Sequence, residues 1–312
     1  MKAVIVGCDG QDGRLLFDKL VSDGWEVIGI GRGSSRDSAG HEADPVAIID
    51  ADAVERLMAP GDVDSVFYLP AVHQSSEGST APDSANVLFD SSWKVHVAGL
   101  INFLETLARH ERGSLFYAAS SLIFGEPDVE PQNELTPFRP ASPYAITKSA
   151  GVNVCRYYRE THGMRASAGI LYNHESSLRG VQFVSQRIAR AAVDISRGSR
   201  HTLALGNLSA EVDWGYAPDF VEAMIRIAAL PSADDYVIAT GEAHSVREFV
   251  EIAFGCVGLD WRDHVSEDSS LLGRRDARRV GDSSRLKQAT GWRPTVTFAE
   301  MVAILIEGAK QR

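Results

Sequence analysis

The sequence predicts an α/β fold, a doubly wound parallel sheet with a smaller C-terminal α/β subdomain that binds substrate. The chain opens with a short apolar run at Ala3–Val6, then a glycine-rich turn and a helical pattern of apolar residues. Further β-prone runs alternate with longer helical patterns, which is typical of parallel sheets. With 312 residues and 44% hydrophobic composition, the chain can bury one large core or a core and a cap.

Composition and charge argue against several function classes. The formal net charge of −11 and the pI of about 5.3 disfavour nucleic acid and anionic membranes as partners. The N-terminus enters a strand directly, without a signal-peptide pattern, and no apolar run is long enough to span a bilayer. Cys8, Cys155 and Cys256 are odd in number and widely spaced, which indicates reduced thiols. We therefore expect a cytoplasmic protein without a disulfide framework or a zinc site.

The first turn predicts a dinucleotide site. Gly7, Gly10 and Gly13 are spaced at three and stand between a strand and a helix. Glycine lets the backbone turn tightly and approach a pyrophosphate, and the N-terminus of the helix offers free N–H groups to the phosphates. A second strand at Trp25–Ile30 completes the unit expected of a Rossmann-type fold.

The end of the second strand indicates which dinucleotide is bound. The acidic residue that usually contacts the ribose 2′-OH of NAD is missing there, and Arg32 stands with Ser34, Ser35 and Arg36 instead. Arginine and serine can pair with a 2′-phosphate through charge-assisted hydrogen bonds. We predict NADP(H) rather than NAD(H), and the alternative is an ordinary solvated loop.

Two further turns are expected at the same edge of the sheet. Runs at Val46–Ile49 and Ser65–Leu69 are predicted to be buried strands, so Asp50 and the turn Leu69–Ala71 follow their carboxyl ends. Ligands of open α/β sheets bind outside those ends. Asp50 is equally suited to cap a helix at Ala51–Met58.

Two long helices flank the next strand. Apolar residues recur at helical spacing over Asn86–Arg109, and Ser142 with Pro143 begins a helix that should run to Thr161. We expect a homodimer through a four-helix interface, with a tetramer also compatible; packing on the chain's own sheet is the alternative. The polar loop at 74–85 is a candidate lid.

Three side chains in this region suit hydride chemistry. The strand Leu115–Ala119 delivers the hydroxyl of Ser120 to the sheet edge, and Tyr144 and Lys148 follow on the second helix. At i,i+4 spacing the phenol and the ammonium share one helix face, so both can reach one bound molecule. We predict that these three are the catalytic residues of a reaction at a carbinol or carbonyl.

The second half of the chain alternates less regularly. Its predicted elements are strands at Arg165–Leu171, Thr202–Leu205 and Tyr236–Ala239 and helices at Phe183–Arg197, Pro218–Ala229, Val246–Phe254 and Ala299–Glu307. We assign residues 1–171 and about 208–240 to the cofactor domain, and residues 172–207 and 241–312 to the substrate subdomain. A loop with Arg274, Arg275, Arg278 and Arg279 is suited to a phosphate or is a solvated face.

With these elements in order, the chain resembles the extended short-chain dehydrogenase/reductases. Among them it is most similar to the branch of the GDP-mannose 4,6-dehydratases and GDP-4-keto-6-deoxymannose reductases. The resemblance covers nearly the whole chain and is carried by Gly10–Gly13, Ser142–Ala145, Gly169–Ser176, Leu205–Leu208, Asp213–Gly215 and Val237–Gly241. It implies a nucleotide-sugar substrate, probed first as a GDP sugar, and supports NADP(H).

The resemblance also implies roles. Ser120 matches the hydroxyl that hydrogen-bonds the sugar O4, Tyr144 the proton-transferring phenol, and Lys148 the ammonium that binds the nicotinamide ribose. The full set of predicted cofactor-binding residues is Gly7, Gly10, Gln11, Asp12, Gly13, Arg32, Ser34, Ser35, Arg36, Asp50, Leu69, Ala71, His73, Tyr144, Lys148, His174 and Arg179. The predicted substrate-binding residues are Ser121, Leu122, Asn173, Glu175, Asn207, Arg274 and Arg275.

One departure from the family decides the predicted reaction. Dehydratases of this branch carry a glutamate two residues after the catalytic hydroxyl, where it takes the C5 proton so that water can leave C6; this chain has Leu122. Leucine cannot exchange a proton. We therefore predict an NADPH-dependent 4-ketoreductase. The alternatives are a dehydratase whose base is Glu175 or Glu126, an epimerase, and a non-catalytic NADP sensor or scaffold.

Two other positions differ from the family pattern. His96 stands where many relatives have an active-site Asn, and Glu211–Val212 replaces a Lys-Arg pair that dehydratases use near the nucleotide. The guanine assignment thus depends on fewer matched residues than the fold does. His73, His96 and His174 have no metal-ligand spacing, so no metal site is predicted.

Overall fold

The computed structural model describes residues 1–59, 61–72, 84–199, 202–271 and 278–312. Its strands are β1 (Lys2–Val6), β2 (Glu26–Ile30), β3 (Ser35–Asp37), β4 (Glu42–Ala43), β5 (Ser65–Tyr68), β6 (Ser114–Ala118), β7 (Arg165–Leu171), β8 (Asn173–Glu175), β9 (Leu203–Leu205), β10 (Glu211–Tyr216), β11 (Asp235–Ile238), β12 (Ala243–Ser245) and β13 (Val265–Glu267). Its helices are α1 (Gln11–Ser22), α2 (Ala51–Met58), α3 (Ala85–Trp93), α4 (Gly99–His110), α5 (Pro143–His162), α6 (Val184–Ser196), α7 (Ala217–Ala229), α8 (Val246–Gly255), α9 (Ser284–Thr290) and α10 (Phe298–Lys310).

The central sheet is doubly wound. Among the described residues it has eight strands in the order β11-β7-β6-β5-β1-β2-β3-β4. The strands from β11 to β2 are parallel, whereas β3 and β4 extend the edge in antiparallel pairing. The chain leaves β1 for β2 on one side and returns as β5 on the other, so the switch point lies at β1. The predicted Rossmann-type fold is confirmed.

The described part of the chain forms two hydrophobic cores. The larger core surrounds the sheet and contains fully buried strand residues such as Ile5, Phe67 and Phe116. The smaller core lies where α6, α8 and α10 pack together, and it includes Trp214 and Phe249. The division of the chain at residues 171, 207 and 240 stays a prediction; Trp214 packs in the smaller core, while Leu286 and Trp292 pack in the larger one.

The predicted strand at Val46–Ile49 is wrong. The segment is irregular, because the antiparallel pair β3 and β4 takes the sheet edge beside β2. Val46 and Ile48 still pack against the larger core, and the carbonyl of Ile48 accepts a hydrogen bond from Asn102 (2.9 Å). The apolar run therefore reports burial without strand pairing.

The helix predicted over residues 86–109 is interrupted. A π-helical segment, Lys94–Ala98, joins α3 to α4. The helix predicted from Pro143 is confirmed as α5. Across the described ranges, no helix combines the length and the apolarity that a membrane span requires.

Candidate active site

A cleft of about 1570 Å³ opens beyond the carboxyl ends of β1, β5 and β6. Its walls include Val6 and Leu171 from the larger core and Leu205 and Trp214 from the smaller one. This is the position where open α/β sheets bind their ligands, and the volume suits a cofactor together with a substrate.

The glycine turn lines this cleft at the N-terminus of α1. Gly7 has a φ of +88°, and a Cβ there would lie 3.2 Å from the main-chain nitrogen of Pro70. A Cβ on Gly13 would lie 2.6 Å from the Cα of Cys8 and closer still to the carbonyl oxygen of Gly7. Gly10 precedes α1 without a side-chain cap. The turn therefore leaves room for a phosphate group at uncapped helical N–H groups.

Ser120 and Tyr144 meet at one wall of the cleft. Ser120 follows β6; its hydroxyl accepts a hydrogen bond from the main-chain N–H of Leu122 (3.3 Å) and bonds with the Tyr144 phenol. Tyr144 lies in the first turn of α5, where the Ser142 side chain caps the helix and Pro143 begins it. The cap and the proline fix the start of the helix and hence the height of the phenol beside the hydroxyl.

Lys148 lies one turn further along α5 and is 1% exposed. Its ammonium donates hydrogen bonds to the carbonyl oxygens of Pro70 (3.0 Å) and Ala118 (2.6 Å). Its Nζ is 5.0 Å from the centre of the Tyr117 ring and 5.9 Å from that of Tyr144. The predicted trio therefore shares one wall, and the ammonium is anchored to the loop that follows β5 and to the last residue of β6.

Burial shifts the acidity of two of these groups in opposite directions. It raises the pKa of Tyr144 to about 12, against the lowering effect of the hydrogen bond with Ser120. It lowers the pKa of Lys148 to about 7 because the ammonium is removed from water, although Asp12 acts the other way. At neutral pH the phenol is protonated and can donate a proton.

Of the residues predicted after the second strand, Arg32 lines the cleft and is exposed. Ser34, Ser35 and Arg36 do not line it, and their contact with the cofactor stays a prediction. The reason is the antiparallel return of the chain: Ser35 is buried in β3, and the Arg36 guanidinium lies 4.3 Å from the ring centre of Phe17.

Asp50 also lies outside the cleft lining. Its carboxylate accepts hydrogen bonds from the main-chain N–H groups of Asp52 (2.9 Å) and Ala53 (3.2 Å) at the start of α2. The alternative of a helix cap is therefore confirmed, and the contact of Asp50 with the cofactor stays a prediction. Leu69 and Ala71 do line the cleft, as predicted.

The start of α1 is joined to the segment after β7. Asp12 accepts a hydrogen bond from the Nε2 of His174 (3.0 Å), and the Gln11 amide donates to the His174 carbonyl (3.1 Å). Burial alone would lower the pKa of His174, but the Asp12 carboxylate outweighs it and raises that pKa. The pair Asp12–His174 therefore links the cofactor turn to the opposite side of the cleft.

The predicted substrate side is largely brought together. Ser121, Leu122, Asn173 and Asn207 line the cleft, as does Arg179. Glu175 does not: it is 2% exposed and accepts a hydrogen bond from the hydroxyl of Ser185 (2.6 Å). Its assignment to the substrate stays a prediction. His73, Arg274 and Arg275 and nearly all of the candidate lid at 74–85 lie outside the described residues.

Sequence reasoning missed several residues of the cleft wall. Asp9 accepts a hydrogen bond from the main-chain N–H of Arg32 (3.0 Å). Arg279, which the sequence placed only in a basic loop, lines the cleft and donates to the carbonyl of Gly125 (3.1 Å). Asp213 accepts from Thr240 (2.6 Å to the hydroxyl) and is buried. The motif around Asp213 signalled a special position, but nothing in the sequence placed it on this wall.

The helices that were predicted to form a dimer leave apolar side chains exposed. α3 and α5 pack against each other, and Val87, Trp93 and Tyr157 are each more than half exposed. The homodimer stays a prediction.

Comparison with known proteins identifies the family of the chain. The sequence model of the GDP-mannose 4,6 dehydratase family matches residues 4–305. GDP-mannose 4,6 dehydratase 1 of Arabidopsis thaliana is 36% identical over 328 residues, spanning 98% of this chain and 88% of that protein. The GDP-mannose 4,6 dehydratase of Homo sapiens is 32% identical and spans 97% and 90%.

Solved structures share the fold at lower identity. RMD from Pseudomonas aeruginosa, complexed with NADPH, matches with a TM-score of 0.81 at 21% identity over 100% of both chains. The dTDP-glucose 4,6-dehydratase of Bacillus anthracis, in complex with NAD, matches with a TM-score of 0.82 at 15% identity over 100% of this chain and 97% of that one.

Proposed function

Because the chain belongs to the GDP-mannose 4,6-dehydratase family, we propose that it is an NADP(H)-dependent enzyme that transfers hydride at C4 of a GDP-linked hexose. The observation that carries the proposal is the meeting of Ser120, Tyr144 and Lys148 on one wall of the cleft. The relatives named for GDP-mannose support the choice of sugar and nucleotide.

The residues present fit NADP(H). Gly7 and Gly13 leave space that a Cβ would fill, and the uncapped start of α1 suits a diphosphate. Arg32 at the rim suits a 2′-phosphate, because guanidinium pairs with phosphate oxygens in a bidentate manner. The NADPH complex of the Pseudomonas aeruginosa protein supports the same choice. When bound, the cofactor supplies or takes up the hydride.

Each residue of the trio has one task. The Ser120 hydroxyl positions the sugar O4, and the protonated Tyr144 phenol gives its proton to O4 when a C4 carbonyl is reduced; in the oxidative direction the proton returns. In its charged form Lys148 has three N–H groups; two are bonded to carbonyl oxygens, which leaves one for the ribose of the cofactor.

For the overall reaction, the comparisons favour 4,6-dehydration of GDP-mannose over the ketoreduction predicted from the sequence. The relatives carry the dehydratase name along almost the whole of this chain. Dehydration would form a 4-keto-6-deoxy sugar without net use of NADPH.

One observation favours ketoreduction as the second candidate. Leu122 lines the cleft two residues after Ser120, where an elimination needs a base. Neither of the predicted substitutes lines the cleft: Glu126 is exposed elsewhere, and Glu175 is buried against Ser185. Reduction needs no such base, since hydride goes to C4 and the Tyr144 proton to O4.

The two reactions are separated by their cofactor balance. The protein is incubated with GDP-mannose and catalytic NADP⁺, and separately with GDP-4-keto-6-deoxymannose and NADPH. A 4-keto product in the first mixture supports dehydration, and oxidation of NADPH in the second supports reduction. Tight NADPH binding with no turnover of either sugar would refute an enzymatic function and favour a non-catalytic NADP sensor or scaffold.

A substitution at the departing position sharpens the test. If reduction is the reaction, Leu122→Glu should introduce exchange of the C5 proton with D₂O, read by NMR, because it places a carboxylate beside the trio. Leu122→Gln is the matched control without a base and should show no exchange. Equal exchange in wild type and Leu122→Gln would point to a base elsewhere and to dehydration.

A further inference from the structure

We propose that His96 is a positioning residue, whose hydrogen bonds hold the loop after β5 against α5 and thereby set the positions of Tyr144 and Lys148. The inference rests on the proposed function for its kinetic consequences, although the hydrogen bonds themselves are a feature of the fold. His96 lies in the π-helical segment Lys94–Ala98 and is 0% exposed.

The hydrogen bonds of His96 allow one tautomer. Its Nε2 is 3.0 Å from the main-chain nitrogen of Val72, and its Nδ1 is 2.7 Å from the Oγ1 of Thr147. A main-chain N–H only donates, so Nε2 must accept and Nδ1 must carry the proton and donate to Thr147. Burial, together with the charge of Lys148, lowers the pKa of His96 to about 2, which keeps the ring neutral.

The same two elements are joined a second time by Lys148. Its Nζ donates to the carbonyl of Pro70, two residues before Val72. Lys148 itself follows Thr147 on α5. The loop and the helix are therefore held at two neighbouring points, one of which is a catalytic group, so a shift at His96 would move the ammonium.

His96 also supports the phenol directly. The imidazole and the Tyr144 ring meet edge to face, with centroids 5.3 Å apart and an interplanar angle of 89°. The Thr147 hydroxyl that accepts from His96 can donate in turn to the carbonyl of Pro143 (2.9 Å) or Tyr144 (3.1 Å). The π-helical turn, a rare departure from the α-helix that often marks functional sites, coincides with these contacts.

Two substitutions separate the bonds of the ring. His96→Gln keeps an acceptor near the position of Nε2 and loses the donor to Thr147; His96→Asn keeps a donor near Nδ1 and loses the acceptor for Val72. Thr147→Val removes the partner hydroxyl at constant shape. We expect each to lower kcat by about 10- to 100-fold through misplacement of the reacting groups, with the Kd for NADPH changed less than about threefold. The primary isotope effect on kcat should rise, measured with GDP-[4-²H]mannose for dehydration and with [4-²H]NADPH for reduction.

Coupling between the variants gives the strict test. His96→Gln and Thr147→Val break the same bond, so the double variant should lose no more kcat than the worse single variant. His41→Asn, at an exposed histidine outside the cleft, is the control and should match wild type. Additive losses, or wild-type kcat in both His96 variants, would overturn the proposal. If His96→Gln fails to fold, Thr147→Val carries the kinetic test alone.

A spectroscopic measurement tests the hydrogen bonds of His96 without any assay of turnover. In ¹⁵N-histidine-labelled protein at pH 6–8, long-range ¹H–¹⁵N spectra should show the His96 ring neutral with the proton on Nδ1, assigned by its loss in His96→Asn. A protonated ring or a proton on Nε2 would show that Nε2 does not accept from Val72 and would overturn the proposal. A wild-type protein that turns over no nucleotide sugar would instead overturn the proposed function and leave this result standing.

Discussion

Replacing Lys148 by methionine should change how stability depends on pH. The ammonium is buried among carbonyl oxygens and aromatic rings, and burial lowers its pKa from 10.5 to about 7. That difference corresponds to about 5 kcal/mol of unfavourable charging in the folded state, since each pKa unit is worth about 1.4 kcal/mol. Methionine has a similar length and no charge to bury.

The sign follows from proton counts. Between the folded pKa near 7 and the unfolded pKa of 10.5, the unfolded chain binds more protons at Lys148 than the folded chain does. Stability therefore rises with pH in that window, and the penalty is fully present below it. The free energy of unfolding of wild type relative to Lys148→Met should rise by roughly 3 kcal/mol from pH 7 to pH 9.5.

Urea unfolding of both proteins at several pH values measures this difference. Lys19→Met, at an exposed lysine paired with Asp23, is the control and should show no trend over the same range. A difference between wild type and Lys148→Met that stays constant from pH 7 to pH 9.5 would show that Lys148 is charged throughout, and the explanation from burial would fail.

Three further predictions concern the cofactor turn and the trio. Tyr144→Phe should lower kcat by about 10²- to 10⁴-fold in steady-state assays while keeping NADPH affinity, because it removes the proton donor. The control Tyr157→Phe, at an exposed tyrosine of the same helix, should keep wild-type kcat; equal activity of the two variants would refute the role of Tyr144. Arg32→Ala should weaken the binding of NADPH about 10- to 100-fold in fluorescence titrations and leave the binding of NADH almost unchanged, as expected for loss of a charge-assisted bond. Arg14→Ala, at an exposed arginine, is the control; an equal loss of affinity for both cofactors in Arg32→Ala would contradict a 2′-phosphate contact. Gly13→Ala should lower the free energy of unfolding, measured in urea, by about 1–3 kcal/mol or more because the new Cβ meets backbone atoms. In the control Gly255→Ala, on α8, the new Cβ enters open space; similar stability of the two variants would count against the close turn.

Local motifs made the sheet, the glycine turn and the trio predictable from the sequence. The spacing of the three glycines sets the turn, and the i,i+4 spacing of Tyr144 and Lys148 sets a shared helix face whatever the rest of the chain does. Val46–Ile49 was mispredicted because an apolar run reports burial, while its pairing depends on which strand takes the neighbouring edge.

Long-range contacts could not be read in this way. Arg32 and Arg36 are four residues apart, and only the return of β3 along β2 turns Arg36 to Phe17. Asp12 and His174 meet across 162 positions, and no periodicity connects them. The two bonds of His96 likewise depend on a π-helical turn that its apolar neighbours do not signal.

The most direct test of hydride transfer at C4 follows a deuterium label. GDP-[4-²H]mannose is incubated with NADP⁺, GDP-4-keto-6-deoxymannose is incubated with NADPH labelled in either position at C4 of the nicotinamide, and mass spectrometry with NMR locates the label. We expect deuterium to leave or to reach C4 of one of the two sugars in wild type, and this movement to be lost in Tyr144→Phe. A wild-type protein that binds NADPH but moves no deuterium at C4 of either sugar would contradict the proposed function.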